Sequence, residues 1–298
     1  MSSTQLRFLK VRTVAIAAVL VSLLTTGSCM STQTSSDVPT VAIVAHRGGA
    51  LLAPENTLAA FEKGLEFAPD AVELDVHLSR DGHLIVIHDP TLVRTTGASG
   101  AVEDFTLAEL RAHDAASRFF GTAYGPQVIP TLDEGLELIT GRARVQVEIK
   151  RRADGSRYSG IEEAVIETLR RHAMLDRAMV ISFDFPTLAT IHELAPGLPT
   201  CALIGTAYMD AVRGATASGA VRPDAIASEI SALGVTHVGV SRQWLDDELF
   251  AAFREHGLRV GVWTVNEPRE IRKFVTLGVD FLTTDRPDVA RSIVPRSK

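Results

Sequence analysis

Ala71-Val72-Glu73-Leu74-Asp75-Val76 alternates apolar and acidic side chains, and Arg144-Val145-Gln146-Val147-Glu148-Ile149-Lys150 repeats the pattern with polar and charged ones. Neighbouring side chains on a strand point to opposite faces, so Val72, Leu74 and Val76 share one side while Glu73 and Asp75 share the other. By the same spacing Gln146, Glu148 and Lys150 oppose Val145, Val147 and Ile149. The apolar sides can pack on helices. Two carboxylates enclosed together resist ionisation unless a cation or hydrogen-bond donors sit between them. A charged site on a core-supporting strand is therefore expected; the bland alternative is a face of solvated acids.

Working outward, further short β-branched runs lie at residues 41–45, 178–182, 200–204, 236–240, 259–264 and 279–283, and amphipathic helical patterns such as 57–67, 161–171, 244–256 and 267–277 fall between them. Eight strands alternating with helices predict an α/β fold, a closed (β/α)8 TIM barrel of parallel strands. At 298 residues, 46% hydrophobic and 22% charged, the chain can build one such domain. The connection from Val76 to Arg144 is too long for the rhythm. It holds another apolar run at 84–87 and an irregular stretch around Phe119 and Phe120, and is expected to be an insertion after the second barrel strand, over the barrel mouth.

Two histidines accompany these strands. His46 follows the first run, at the C-terminal barrel face where barrel enzymes place their chemistry. His88 ends the run at 84–87, and the turn signal Asp89-Pro90 leaves its imidazole at a rim. Imidazole can take and give a proton near neutral pH, although a histidine met alone is more often packed or on the surface. That plainer expectation is kept for the other seven, His77, His83 and His256 among them. Glu148 can add a third oxygen ligand to Glu73 and Asp75, and an oxygen-only set favours one Mg²⁺ or Ca²⁺ over Zn²⁺. Arg47 offers a planar fork of donors for phosphate oxygens. Lys150 can meet a phosphate too, or form a structural ion pair with Glu148. In Pro54-Glu55-Asn56-Thr57, either Asn56 or Thr57 can cap the following helix.

The N-terminus follows another rule. Arg7, Lys10 and Arg12 precede an apolar run from Val14 to Leu24, and small and polar residues lead to Cys29. This is the layout of a secretory signal, and the approach to Cys29 resembles a bacterial lipoprotein cleavage site, with Thr26 departing from the usual leucine. The expected organisation is a signal peptide at 1–28, a Ser/Thr-rich tether at 29–40 and the barrel domain at 41–298. The protein would be exported and held in the cell envelope by a lipidated Cys29, or otherwise secreted or periplasmic. Loss of residues 1–28 would take the formal charge from −6 to −9. That excludes a nucleic-acid partner held by phosphate contacts. Only Cys29 and Cys201 exist, so no disulfide framework is expected, and Cys201 among apolar neighbours is a structural thiol rather than a nucleophile.

His46-Arg47-Gly48, Pro54-Glu55-Asn56-Thr57, Glu73-Leu74-Asp75-Val76, Asp81-Gly82, His88-Asp89, Glu148-Ile149-Lys150, Ser182-Phe183-Asp184, Trp263-Thr264-Val265-Asn266 and Thr284-Asp285-Arg286-Pro287 occur in that order. Together they resemble the signature of the glycerophosphodiester phosphodiesterase family. The resemblance implies a barrel that hydrolyses glycerophosphodiesters to glycerol 3-phosphate and an alcohol. It implies His46 and His88 as the acid/base pair and Glu73, Asp75 and Glu148 as metal ligands. Arg47 and Lys150 fall at phosphate-binding positions and Trp263 at an aromatic position lining the pocket. Two competitors remain: a phospholipase or sphingomyelinase D-like enzyme acting on intact lipid, for which Phe105, Phe119, Phe120 and Tyr124 could build an apolar rim, and a non-catalytic surface lipoprotein that binds phosphodiester groups.

Overall fold

The computed structural model describes residues 41–119, 124–215 and 220–294. The expected leader and tether, Cys29 included, and Phe120 lie outside the described residues.

Among the described residues the strands are β1 (Ala42–Ala45), β2 (Ala71–Leu78), β3 (Leu84–Val86), β4 (Arg144–Ile149), β5 (Ala178–Ser182), β6 (Thr200–Ile204), β7 (His237–Ser241), β8 (Arg259–Trp263) and β9 (Phe281–Thr284). All except β3 run parallel to their neighbours, in the order β1-β2-β4-β5-β6-β7-β8-β9, and β9 pairs back onto β1. This is the expected closed eight-stranded TIM barrel. Parallel neighbours need crossovers, and helices supply them. Their starts are legible in the chain: Thr57, Thr131, Asp184 and Asp246 cap with side-chain oxygens, and prolines stand in the first turns of Pro223–Ala232, Pro268–Leu277 and Pro287–Ile293.

Strand alternation sorts the side chains as expected. Val72, Leu74, Val76, Val145, Val147 and Ile149 point outward into the layer shared with helix residues such as Phe61, Leu136 and Val165. Inside the barrel, Val44, Ala71, Ile181, Cys201, Leu203 and Phe281 form a separate apolar plug. Phe281 fills this interior because Gly261 is beside it, where any Cβ would collide with the ring. Cys201 is fully buried in the plug, and burial pushes its thiol well above the ordinary range, which keeps it unreactive.

The long connection after β2 is built differently from a loop. β2 pairs with β4 from Ala71 to Val76, and β1 takes its other edge only at Ala71 and Val72. The upper part of that edge, Val76 to Leu78, is covered by antiparallel β3. The insertion so anchored has its own core of Ile85, Ile87, Leu92, Val102, Leu110 and Ile129. It ends earlier than the sequence spacing suggested, because Leu132–Ile139 is a regular barrel helix, opened by a capping box between Thr131 and Glu134 and packed beside the helix Leu58–Leu65.

Candidate active site

The residues singled out in the sequence meet at the C-terminal mouth of the barrel. His46 and Arg47 leave β1 in a single helical turn, in which Arg47 takes a left-handed φ of 51° and Gly48 one of 85°. A Cβ on Gly48 would lie 2.7 Å from the main chain of Ala60, and one on Gly64 would collide with the Gly48 carbonyl. The helix Leu58–Leu65 therefore presses directly on the loop that carries His46. Thr57 caps this helix through Ala60 N at 3.1 Å, whereas Asn56 donates to Asp75 Oδ2 at 2.7 Å. The two candidates for the cap thus have separate jobs.

Glu73, Asp75 and Glu148 converge as β2 and β4 predict, with Asp75 registered against Glu148. All three are buried, and one ligand oxygen from each lies within 4.8 Å of the others. The solvated-acid alternative does not hold. Two cations face them. Lys150 Nζ is 2.6 Å from Glu148 Oε1 and 3.1 Å from Asp75 Oδ1, and Arg47 Nε is 3.5 Å from Asp75 Oδ2. The Glu148–Lys150 ion pair exists, but inside the site. The Arg47 amide donates to Glu73 Oε2 at 2.8 Å, while Glu73 Oε1 is buried with no hydrogen-bond partner.

The electrostatics follow from this packing. Burial, then the neighbouring Asp75 and Glu148, hold Glu73 well above the usual carboxylate range, and burial raises Glu148 to about 7 against the pull of Lys150. Burial works on Asp75 too, but Lys150 and Arg47 overcome it and keep Asp75 well below its ordinary value. Burial and crowding favour a proton on Glu73 in the absence of a cation; with all three carboxylates ionised, as ligands of a cation would be, they exceed Lys150 and Arg47 by one negative charge. The orphaned Glu73 oxygen, the all-oxygen donors and this charge imbalance fit a hard divalent cation.

The two histidines are held alike. His46 Nδ1 lies 2.6 Å from Asp285 Oδ1, with Nε2 4.0 Å from Glu73 Oε2. His88 Nδ1 lies 2.6 Å from Asp89 Oδ1. A carboxylate at Nδ1 places the hydrogen there and leaves Nε2 for other chemistry. Burial, with Lys150 and Arg47 nearby, lowers His88 to about 4 despite the opposing pull of Asp75. Asp285 is itself fixed by Asn266 Nδ2 at 2.7 Å; burial opposes its ionisation, and the His46 and Asn266 hydrogen bonds lower it nonetheless. Asp89 is clasped by Arg94 from the insertion, whose guanidinium also reaches both oxygens of Glu55, and Glu55 in turn accepts from Arg47 at 3.0 Å.

His46, Arg47, Glu73, His88, Glu148, Phe183 and Trp263 line one cavity of about 120 Å³ above the apolar plug. Lys150 lies beside it, on the groove that continues from His88 and Glu148. Trp263 and Phe183 stand edge to face, 5.4 Å between centroids, and Phe183 is 46% exposed. Phe105 instead packs against the core of the insertion. Glu55, Asn56, Arg94, Phe183, Asn266 and Asp285 join the site in the structure although nothing local in the sequence gives them a role there. Asn266 and Asp285 stand in the quoted motifs, but His46, the partner of Asp285, is 239 residues away in the chain. Only closure of β9 onto β1 joins them.

The sequence pattern of the glycerophosphoryl diester phosphodiesterase family matches residues 46–289. A glycerophosphodiester phosphodiesterase of Bacillus altitudinis is 38% identical over 251 residues, covering 84% of this chain and 97% of that protein. One from Caldanaerobacter subterraneus is 34% identical, covering 85% and 97%. Among solved structures, a glycerophosphodiester phosphodiesterase from Agrobacterium tumefaciens superposes with a TM-score of 0.68 at 28% identity, covering 85% of this chain and 99% of that one. An Oleispira antarctica phosphodiesterase in complex with the product sn-glycerol-3-phosphate gives 0.72 at 27% identity, covering 86% and 98%. With motifs, barrel and site in agreement from His46 onward, this chain belongs to the glycerophosphoryl diester phosphodiesterase family.

Proposed function

We propose that the protein hydrolyses glycerophosphodiesters to glycerol 3-phosphate and an alcohol, with His46 and His88 exchanging protons and Glu73, Asp75 and Glu148 holding one Mg²⁺ or Ca²⁺. The observation that carries this is the charge balance at the barrel mouth. With its three carboxylates ionised the centre has one negative charge in excess, and a phosphodiester brings a second. When bound, a divalent cation offsets both and supplies positive charge against the phosphoryl oxygens as charge builds there.

Arg47 and Lys150 are the protein's own cations for the non-bridging oxygens. The imidazoles of His46 and His88, each turned by an aspartate, stand on the same cavity, so one takes the proton of the attacking oxygen and the other returns a proton to the leaving alkoxide. The attacking oxygen belongs to water or to the substrate's own glycerol hydroxyl; the second route passes through a cyclic glycerophosphate, detectable in single turnover. The Trp263 and Phe183 rings wall the cavity against carbon rather than charge.

The experiment is release of glycerol 3-phosphate from glycerophosphocholine with each divalent ion, beside His46→Ala and His88→Ala. Loss of about 100-fold or more in each variant is expected. No cation-dependent release from this or related head groups would overturn the proposal. A second reading, cleavage of intact lipid, draws on the groove past the site lined by Phe183, Phe185, Leu203, Ala207 and Tyr208. Lysophosphatidylcholine offered beside glycerophosphocholine separates the two by kcat/KM. The envelope location is proposed from the leader sequence alone, and the mass of the mature N-terminus, with acylated Cys29 expected, tests it.

A further inference from the structure

His77 plays no part in the chemistry above, yet it is fully buried at the edge of the site. It stands two residues beyond Asp75 and so on the same face of β2. Both ring nitrogens are engaged. Nε2 lies 3.2 Å from the backbone oxygen of His88, and Nδ1 lies 3.0 Å from the hydroxyl of Tyr158. A carbonyl oxygen can only accept, so Nε2 carries the hydrogen. The Tyr158 ring meets the imidazole edge-on with centroids 5.8 Å apart, and its one hydroxyl hydrogen lies between His77 Nδ1 and Glu103 Oε2, each 3.0 Å from the oxygen. Glu103 Oε1 accepts from the amide of Ala153 at 3.3 Å. Three segments are thereby joined: β2 through His77, the loop after β4 through Tyr158 and Ala153, and the insertion through Glu103. They converge on the main chain of His88, whose ring faces the cavity.

A histidine that only filled space here would be replaceable by a hydrocarbon, without the cost of burying two polar nitrogens. We propose that His77 is a positioning residue: it fixes the backbone of His88, Tyr158 and Glu103 fix His77, and docking of the insertion on the barrel thereby sets where the His88 imidazole stands. This rests on the reading of His88 as a proton-transfer group. Two restraints then act on that residue. Asp89 turns the ring, and His77 holds the main chain from which the ring projects.

The test is steady-state kinetics on glycerophosphocholine with a divalent cation for the wild type, His77→Leu, His77→Gln, Tyr158→Phe and His88→Ala, with melting temperatures recorded for each. His77→Leu is expected to lower kcat by about 10- to 100-fold, the scale of a misplaced reacting group, with KM within about twofold. His77→Gln, which keeps a donor for the His88 oxygen, is expected to recover most of that loss, and Tyr158→Phe to lower kcat by about threefold or more. A folded His77→Leu protein with wild-type kcat overturns the proposal, as does a Gln variant no better than Leu. Should the Leu variant fail to fold, Tyr158→Phe decides, and an unchanged kcat there overturns it. His88→Ala separates the two levels. If it is fully active, the role of His88 falls and the proposal with it; if it is inactive beside a fully active His77→Leu, only the proposal falls.

Discussion

At the scale of single residues, the site is a set of charged groups whose behaviour is decided by the group behind each one. His46 faces the cavity, but Asp285 chooses its tautomer, and Asn266 holds Asp285. Asp285→Asn keeps the shape and can offer an amide hydrogen where Nδ1 needs an acceptor. It is expected to lower kcat by about 100-fold with little change in KM, measured on protein whose circular dichroism matches the wild type. Asp89 gives a stability counterpart. Burial opposes its ionisation, yet Arg94 and His88 bring it down to about 2. A carboxylate lowered by folding adds stability above its unfolded pKa, near 3.8, and loses it as pH falls through the folded value. After allowance for solvent screening this is worth roughly 1–2 kcal/mol. The melting-temperature gap between wild type and Asp89→Asn should therefore be widest at pH 7 and shrink between pH 4 and pH 2. A gap constant with pH would refute this. His46, His88, Glu73, Asp75 and Glu148 were legible in the sequence because strand ends and strand alternation place them. The groups behind them, Asp285, Asn56 and, through Asp89, Arg94, were not, since each acts across a contact that no local period announces.

At the scale of elements, the strand pattern was read nearly in full, and the boundary of the insertion was not. Alternation in 71–76 and 144–149 is a local property, and those residues do form β2 and β4 with the predicted faces. The helix Leu132–Ile139 is hard to separate from the insertion in the sequence because the irregular stretch before it hides the resumption of the barrel rhythm, although Thr131 and Glu134 form its capping box. Packing between elements is less visible still. Nothing local marks Gly64 as more than a weak helix former, and alanine there would ordinarily stabilise a helix by about 1 kcal/mol. Its Cβ would instead strike the Gly48 carbonyl, in the loop that carries His46 and Arg47. Gly64→Ala should destabilise by about 1–3 kcal/mol in denaturant unfolding and lower kcat as well. A more stable, fully active variant would show that the helix can withdraw without moving the loop.

At the scale of the whole molecule, barrel closure is what turns separated motifs into one centre, and it also concentrates charge. β1, β2, β4 and β9 bring their C-terminal ends to one mouth, so His46, Glu73, Asp75, Glu148 and Asp285 share it whatever their separation in sequence. Folding encloses three carboxylates with two cations there, and Glu73 Oε1 has no partner among the described residues. A cation that binds only the folded protein must then stabilise it by mass action, about 2.7 kcal/mol at a hundred times its Kd. For a domain of this size that is a rise of roughly 5–10 °C in Tm. Mg²⁺ or Ca²⁺ titrated into chelator-treated protein should produce this saturable rise, and the same ionic strength of KCl should not. Glu73→Gln removes one ligand and mimics the neutral acid that burial and Asp75 favour without a cation, so its Tm in chelator should be no lower than wild type while its response to the cation is lost. An equal cation response in wild type and Glu73→Gln would place the ion elsewhere and break the charge argument on which the proposed phosphodiesterase centre stands.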